Sequence, residues 1–302
     1  MNQNRNTSLK VYLEAKKKII DEALERHLPG EDNYPAVIFK AARYSVFAGG
    51  KRIRPILCLA SAEAVGGHIE SVIPVACALE LIHTYSLIHD DLPAIDDDDY
   101  RRGRLTSHKV FGEDIAILAG DALLTEAFRL MSDISLMKKV SPEKLLLVIH
   151  DITEAAGCFG MVGGQVVDVQ SEGKDVDREV LNYIHTRKTG AMITAAVKAG
   201  ATLSNANEVE LNALVSYGRH IGLAFQIADD ILNVEGDQAL LGKGTGSDAK
   251  RGKVTYPALM GLEASRKKAG ELVKSALSVL KNFDHRAEPL RMIAGYIVER
   301  RS

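Results

Sequence analysis

Six aspartates fall within ten residues of this chain: Asp90, Asp91 and Asp96 through Asp99. Arg101 and Arg102 follow at once. Tyr85, Leu87 and Ile88 precede them, so the stretch HTYSLIHDDLPAIDDDDYRRG does not read as a solvated acidic tail. So much like charge strains a folded chain unless a cation neutralises it. Carboxylate oxygens are the ligands of hard divalent cations, above all Mg2+, which keeps part of its shell for substrate phosphates. Arginines beside the carboxylates suit the same site, because their planar forks grip phosphate oxygens. A second Asp pair lies in FQIADDILN. On a helix Asp229 and Asn233 are four apart and Asp230 and Asn233 three apart, so all three oxygens can share a face. Two such helices facing each other predict a carboxylate-walled site for a metal-bridged diphosphate.

Other motifs read either way. Gly49-Gly50-Lys51-Arg52-Ile53-Arg54-Pro55 places three cations between two helices. Glycines let backbone approach an anion and the cations bind it; a solvated turn is the plainer reading, and the Asp clusters favour the anion. His83 stands two helical turns before Asp90 on nearly the same face and can donate to a phosphate, although a lone His on an apolar helix is more often a core residue. Arg187-Lys188-Thr189-Gly190 reads better as a surface cation near a kink than as an anion contact, and Gly163-Gly164-Gln165 with Asp168 as a close helix contact. The stretch GDQALLGKGTGSDAKRGKVTYP is not a P-loop: from Gly246 to Gly252-Lys253 there are five intervening residues instead of four, and Val254 follows where Ser or Thr is needed. Lys243 and Lys253 remain candidates for closing over an anion.

The elements that must position these groups are helical. Apolar residues recur with helical period from Leu9 to Leu28, and Pro29-Gly30 stops them. Further helices are predicted over Pro35–Phe47, Ile56–Val65, about Ser71 to Asp91, Glu113–Met131, Pro142 to about Val169, Val176–Gly200 and Asn207–Val234, with three amphipathic helices near the C-terminus. Pro93 should end or kink the helix carrying Asp90. No run of alternating strands, repeat or linker is evident. The expectation is an all-α single domain over residues 1–302, with several helices in a buried bundle.

Composition adds bounds. A formal net charge of −2 over 302 residues gives no general pull towards nucleic acid or anionic membrane. Cys58, Cys77 and Cys158 lack metal-ligand spacing, which suits a reduced, cytoplasmic setting. The polar N-terminus lacks a signal core, and no segment reads as apolar for long enough to span a bilayer.

Taken together, GGKRIRP, HTYSLIHDDLPAIDDDDYRRG, GGQVVD, RKTG, FQIADDILN and GKVTYP, in that order, resemble the polyprenyl synthetase family of trans-prenyl diphosphate synthases, most closely its bacterial-type farnesyl diphosphate synthases. The resemblance covers nearly the whole chain. It implies a large helical bundle of the isoprenoid synthase type around a central cavity, usually a homodimer. By the same resemblance Asp90, Asp91 and Asp96, with Asp229 and Asp230, hold Mg2+ against the allylic diphosphate. Lys51, Arg54, His83 and Arg102 match the isopentenyl diphosphate site. Arg101, Lys188, Thr189, Gln226, Lys243 and Lys253 match the allylic site. Asn233 stands where the family usually has Asp, which removes a charge there. Tyr85 and Ser86 occupy the positions that set product length, and an aromatic residue there goes with farnesyl diphosphate, a small one with geranylgeranyl diphosphate.

Rival readings keep some of these features. A non-catalytic diphosphate-binding partner subunit need not retain both Asp pairs. A terpene cyclase has no second diphosphate for the GGKRIRP cations. A plain metal-binding helical protein leaves those cations unexplained.

Overall fold

The computed structural model describes residues 2–235 and 254–299. Lys243 and Lys253 lie outside them. The described chain is almost entirely helical. Helix α1 spans Asn2–His27, α2 Ala36–Val46, α3 Ile53–Ala64 and α4 Ile73–Asp90. A two-stranded hairpin, β1 Tyr100–Arg101 and β2 Arg104–Leu105, leads into α5, Ser107–Phe111, and α6, Glu113–Ser132. Then come α7 Pro142–Ala156, α8 Met161–Ser171, α9 Arg178–Ile184, a π-helical segment His185–Gly190, α10 Ala191–Leu203 and α11 Glu208–Glu235. The last elements are α12 Tyr256–Met260, α13 Leu262–Val279 and α14 Glu288–Glu299.

Helix α4 is apolar on nearly every side and buried along its length, as a central bundle helix must be. Two apolar clusters fill the interior. One joins α1, α2, α4, α6 and α7; the other joins α11, α13 and α14. Helices α3 and α10 contribute to both: Cys58, Leu59 and Met192 face the first cluster, Ile56, Leu57 and Ile193 the second. The two helices lie close enough for the Ser61 hydroxyl to donate to the Val197 carbonyl at 2.6 Å.

Four expectations change. The predicted helix from Pro142 to Val169 is broken at Gly157–Gly160, ahead of Gly163-Gly164. Gly160 approaches so closely that a Cβ on it would lie 2.0 Å from the Ala155 carbonyl oxygen. By length and composition Pro142–Ser171 is nevertheless apolar enough to cross a bilayer, with a mean hydropathy of 1.5 over its most apolar window. This corrects the reading that no segment is. The break divides it into helices of 15 and 11 residues, each shorter than the about 20 that a span needs. The hairpin was not expected either. Its turn, Arg102-Gly103, has φ of 54° and 74°, the left-handed pair that suits the twist of a two-residue hairpin. Finally, the predicted helix over Val176–Gly200 is continuous from Arg178 but passes through the π segment, which contains Arg187, Lys188 and Thr189.

Candidate active site

Helix α4 ends at Asp90, and Pro93 follows it. The backbone then doubles back: Asp96 N–H donates to the Asp90 carbonyl at 2.8 Å and Asp98 N–H to the Asp91 carbonyl at 3.2 Å. Asp96 is thereby returned to Asp90, although six positions separate them in sequence. The Thr106 hydroxyl, just after β2, donates to the Asp98 carbonyl at 2.8 Å and fixes the hairpin to this loop. On that hairpin, Arg101 Nε contacts both oxygens of Asp91, at 2.7 and 2.8 Å. Asp91 is buried. Burial pulls the Arg101 pKa down, but the Asp91 hydrogen bonds and charge, with Asp98 and Asp90, more than offset it, and the net shift is upward.

The basic loop lies against the same hairpin. Arg102 donates to the Gly49 carbonyl. Gly50, with φ of 123°, is in contact with the Arg102 guanidinium, and a Cβ there would sit 2.6 Å from its central carbon; only glycine fits both demands. Lys51 is exposed and borders an apolar cleft with Phe225 and Tyr296. Arg54 sits in the first turn of α3. Burial lowers its pKa, while Glu80 and Asp229 raise it and Arg102 lowers it. That coupling brings the basic loop within electrostatic reach of the second Asp pair. His83 on α4 is held well below 6.5, first by burial and then by Arg54, Arg102, Arg101 and Arg52. It is neutral at pH 7 and offers a phosphate one N–H without adding charge. Arg54, Arg101 and Arg102 around one imidazole are a concentration of cations that suits an anion.

Arg52 is not part of that anion site. Its φ of 53° turns it inward, where it is 3% exposed and donates to Glu80 at 2.7 Å, to Asp21 at 2.9 Å and to the Val46 carbonyl at 2.7 Å. It ties α1, α4 and the end of α2 beneath the loop, so it positions Lys51 and Arg54. Glu80 was not singled out in the sequence; a lone Glu in an apolar helix was the signal for it, since a buried carboxylate needs a partner.

Across the site, Lys188 pairs with Asp168 of α8 at 2.6 Å. Gly164 on α8 lies against the Lys188 backbone, where a Cβ would come within 2.3 Å, the helix contact predicted there. Gln165, beside it, has both amide atoms buried without a hydrogen-bond partner among the described residues. The Thr189 hydroxyl donates to Gln226 Oε1 at 2.9 Å, and the Gln226 amide donates to Asp230 Oδ1 at 3.2 Å. Asp230 is buried, and its other oxygen accepts the Tyr256 N–H at 3.0 Å. His185 Nε2 lies 3.4 Å from that oxygen, but burial pushes His185 down to about 3, so the contact is no ion pair at neutral pH. Asp230 is thus held in the packing, whereas Arg54 senses Asp229.

Among the described residues, no three carboxylate, His or Cys side chains converge to cage a metal by themselves. The donor set still fits Mg2+, which takes one or two carboxylates and completes its octahedron with water and phosphate oxygens. Tyr85 lies on α4, 7% exposed in the first apolar cluster, and feels the charge of Asp90. Ser86 bonds back to the His83 carbonyl at 2.9 Å.

Comparison with known proteins bears on the family and the fold. The polyprenyl synthetase family profile matches residues 35–292. A geranylgeranyl diphosphate synthase of Cyanophora paradoxa is 48% identical over 98% of this chain and 97% of its own length. A farnesyl diphosphate synthase of Geobacillus stearothermophilus is 44% identical over 97% of this chain and 98% of its own. The crystal structure of a geranylgeranyl pyrophosphate synthetase from Pyrococcus horikoshii superposes with a TM-score of 0.88 at 34% identity, covering 98% of this chain and 99% of that one. With its all-α fold and a family match over most of its length, this chain is a member of the polyprenyl synthetase family, a prenyltransferase acting on prenyl diphosphates.

Proposed function

We propose that the protein joins isopentenyl diphosphate head to tail with dimethylallyl and then geranyl diphosphate, and stops at farnesyl diphosphate. The observation that carries the stopping point is Tyr85, an aromatic ring buried on α4 about five residues, roughly 7 Å, below the Asp90 carboxylate. Geranylgeranyl diphosphate is the second reading, favoured by the similarity to the Cyanophora paradoxa synthase.

In this reading Asp90, Asp91, Asp96 and Asp229 hold Mg2+ against the allylic diphosphate, and Asp230 serves by fixing Gln226. When bound, Mg2+ neutralises diphosphate charge and so makes it a better leaving group. Arg101 holds and orients Asp91. Lys188 and Arg101 supply cationic donors to the same diphosphate; Lys243 and Lys253 are assigned the same part by resemblance. Lys51, Arg54, Arg102 and the neutral His83 N–H hold isopentenyl diphosphate. The carbon–oxygen bond of the allylic diphosphate breaks, and the isopentenyl double bond supplies the electrons of the new carbon–carbon bond. The oxygen dipoles of Thr189 and Gln226 face the developing positive charge. A proton then leaves to the departed diphosphate, so no dedicated side-chain base is required.

We read residues 1–302 as one domain, supported by the two clusters meeting along α3 and α10. A homodimer is supported by exposed Ile117 and Leu118 on α6 and Leu146 and Leu147 on α7, since neighbouring apolar residues left in solvent favour a partner. A cytoplasmic setting is supported by three free cysteines. The test is to incubate the purified protein with geranyl diphosphate, labelled isopentenyl diphosphate and Mg2+, and to size the products. Farnesyl diphosphate is the expected main product; geranylgeranyl diphosphate would replace the first reading by the second.

A further inference from the structure

Gly120 lies in the interior of α6, where glycine is disfavoured relative to alanine. Its missing side chain is filled by His89 of α4: a Cβ on Gly120 would fall 2.1 Å from His89 Nε2 and 2.5 Å from Cδ2. In this notch His89 Nε2 stands 3.0 Å from the Ile117 carbonyl oxygen. A carbonyl only accepts, so Nε2 carries the proton and donates it. The imidazole is thus seated on α6 by shape and by a hydrogen bond. One turn back on α4, the Tyr85 ring meets it edge to face, with centroids 5.7 Å apart and planes at 78°, the geometry aromatic rings prefer.

We propose that His89, lodged in the Gly120 notch, is a positioning residue that holds the Tyr85 ring in place and so sharpens the limit on product length. The inference rests on reading Tyr85 as the floor of the elongation site. A tyrosine in a helix has two main choices of χ1. An edge-to-face contact biases such a choice by about two- to tenfold. Without the imidazole the ring spends more time in its other rotamer, and chains grow one unit too far in proportion.

The experiment measures, within each reaction, the ratio of product one isoprene unit beyond the main product to the main product itself. Because the ratio is internal, it is insensitive to any loss of rate caused by a change beside Asp90. Wild type, Tyr85→Ala, His89→Ala, Gly120→Ala and the His89→Ala/Gly120→Ala double variant are compared. His89→Ala and Gly120→Ala should each raise the ratio by about two- to tenfold. The double variant should match His89→Ala alone, because the ring that a residue-120 methyl would displace is already gone. Should Tyr85→Ala lengthen the products while active His89→Ala and Gly120→Ala keep the wild-type ratio, the brace is refuted and the floor stands. Additive effects in the double variant would also refute it. An active Tyr85→Ala with unchanged products removes the floor reading, and the brace with it.

Discussion

Replacing Arg52 by methionine isolates the strut beneath the basic loop. Methionine preserves much of the volume and is no worse than arginine at the left-handed φ of 53°, so the loss is one of charge and hydrogen bonds. The contact with Asp21 is partly solvated, 34% exposed on the acidic side, and counts for about 0–1 kcal/mol. The contact with Glu80 is different: both side chains are about 1% exposed, and Glu80 Oε2 already lacks a hydrogen-bond partner among the described residues. Removing one member of a buried pair and leaving the other charged costs about 3–5 kcal/mol. Against a total stability of about 5–15 kcal/mol, that is a large fraction. Urea unfolding followed by helical circular dichroism should show a midpoint lowered accordingly. Arg52→Met/Glu80→Leu should recover at least half of the loss, because an apolar pair replaces a buried ion pair at little cost. Since Lys51 and Arg54 flank Arg52, the single variant should also show a raised KM for isopentenyl diphosphate. A loss below about 1 kcal/mol, or a double variant no more stable than the single one, would refute the strut.

Burial pushes the Cys58 and Cys77 thiols up to about 12, whereas Cys158 is exposed; a maleimide at neutral pH should label one thiol per folded chain and three after unfolding, as counted by mass spectrometry. His83 binds a proton below about pH 6.5 when unfolded but not when folded, so its contribution to stability is full above that pH and is lost as the pH falls below it; His83→Gln should flatten the slope of unfolding midpoint between pH 6.5 and 5. Asp229→Asn should raise the Mg2+ concentration for half-maximal activity at least about tenfold with little change in melting temperature, which corresponds to about 1.4 kcal/mol of binding. Asp230→Asn sets an NH2 against one of its two donors, the Tyr256 N–H or the Gln226 amide, and should instead cost about 1–3 kcal/mol in thermal stability.

Period and punctuation made the helices readable: Pro29-Gly30 and Pro93 stand where helices stop. The break at Gly157–Gly160 was less readable than Gly163-Gly164 because two glycines three apart carry a weaker stop signal than an adjacent pair, and close carbonyl approach marks both places: a Cβ would meet the Ala155 oxygen at Gly160 and the Cys158 oxygen at Gly163. The hairpin escaped because strands of two residues carry no alternation. In the GGKRIRP loop three cations look alike in sequence, yet the left-handed backbone at Arg52 buries one of them. Spacing alone did not display that Tyr256, arriving from later in the chain, holds Asp230 in the packing. His83 and Lys188 looked ordinary alone; their neighbours come from other elements, which no local pattern displays.

The π segment from His185 to Gly190 bears on how this chain tolerates insertion and deletion. Such a segment is an α-helix with one residue too many. The wide turn absorbs that residue and keeps α9 and α10 in the phase of a regular helix, whereas a further residue inserted into this stretch, with no second wide turn to absorb it, would turn everything beyond by about 100° relative to what precedes it. Met192 and Ile193, which face the two apolar clusters, would rotate off them, or Lys188 and Thr189 would rotate off Asp168 and Gln226. The reading frame of the helix surface is therefore shared between core and chemistry, and a change of length here should be far less tolerated than a change of residue.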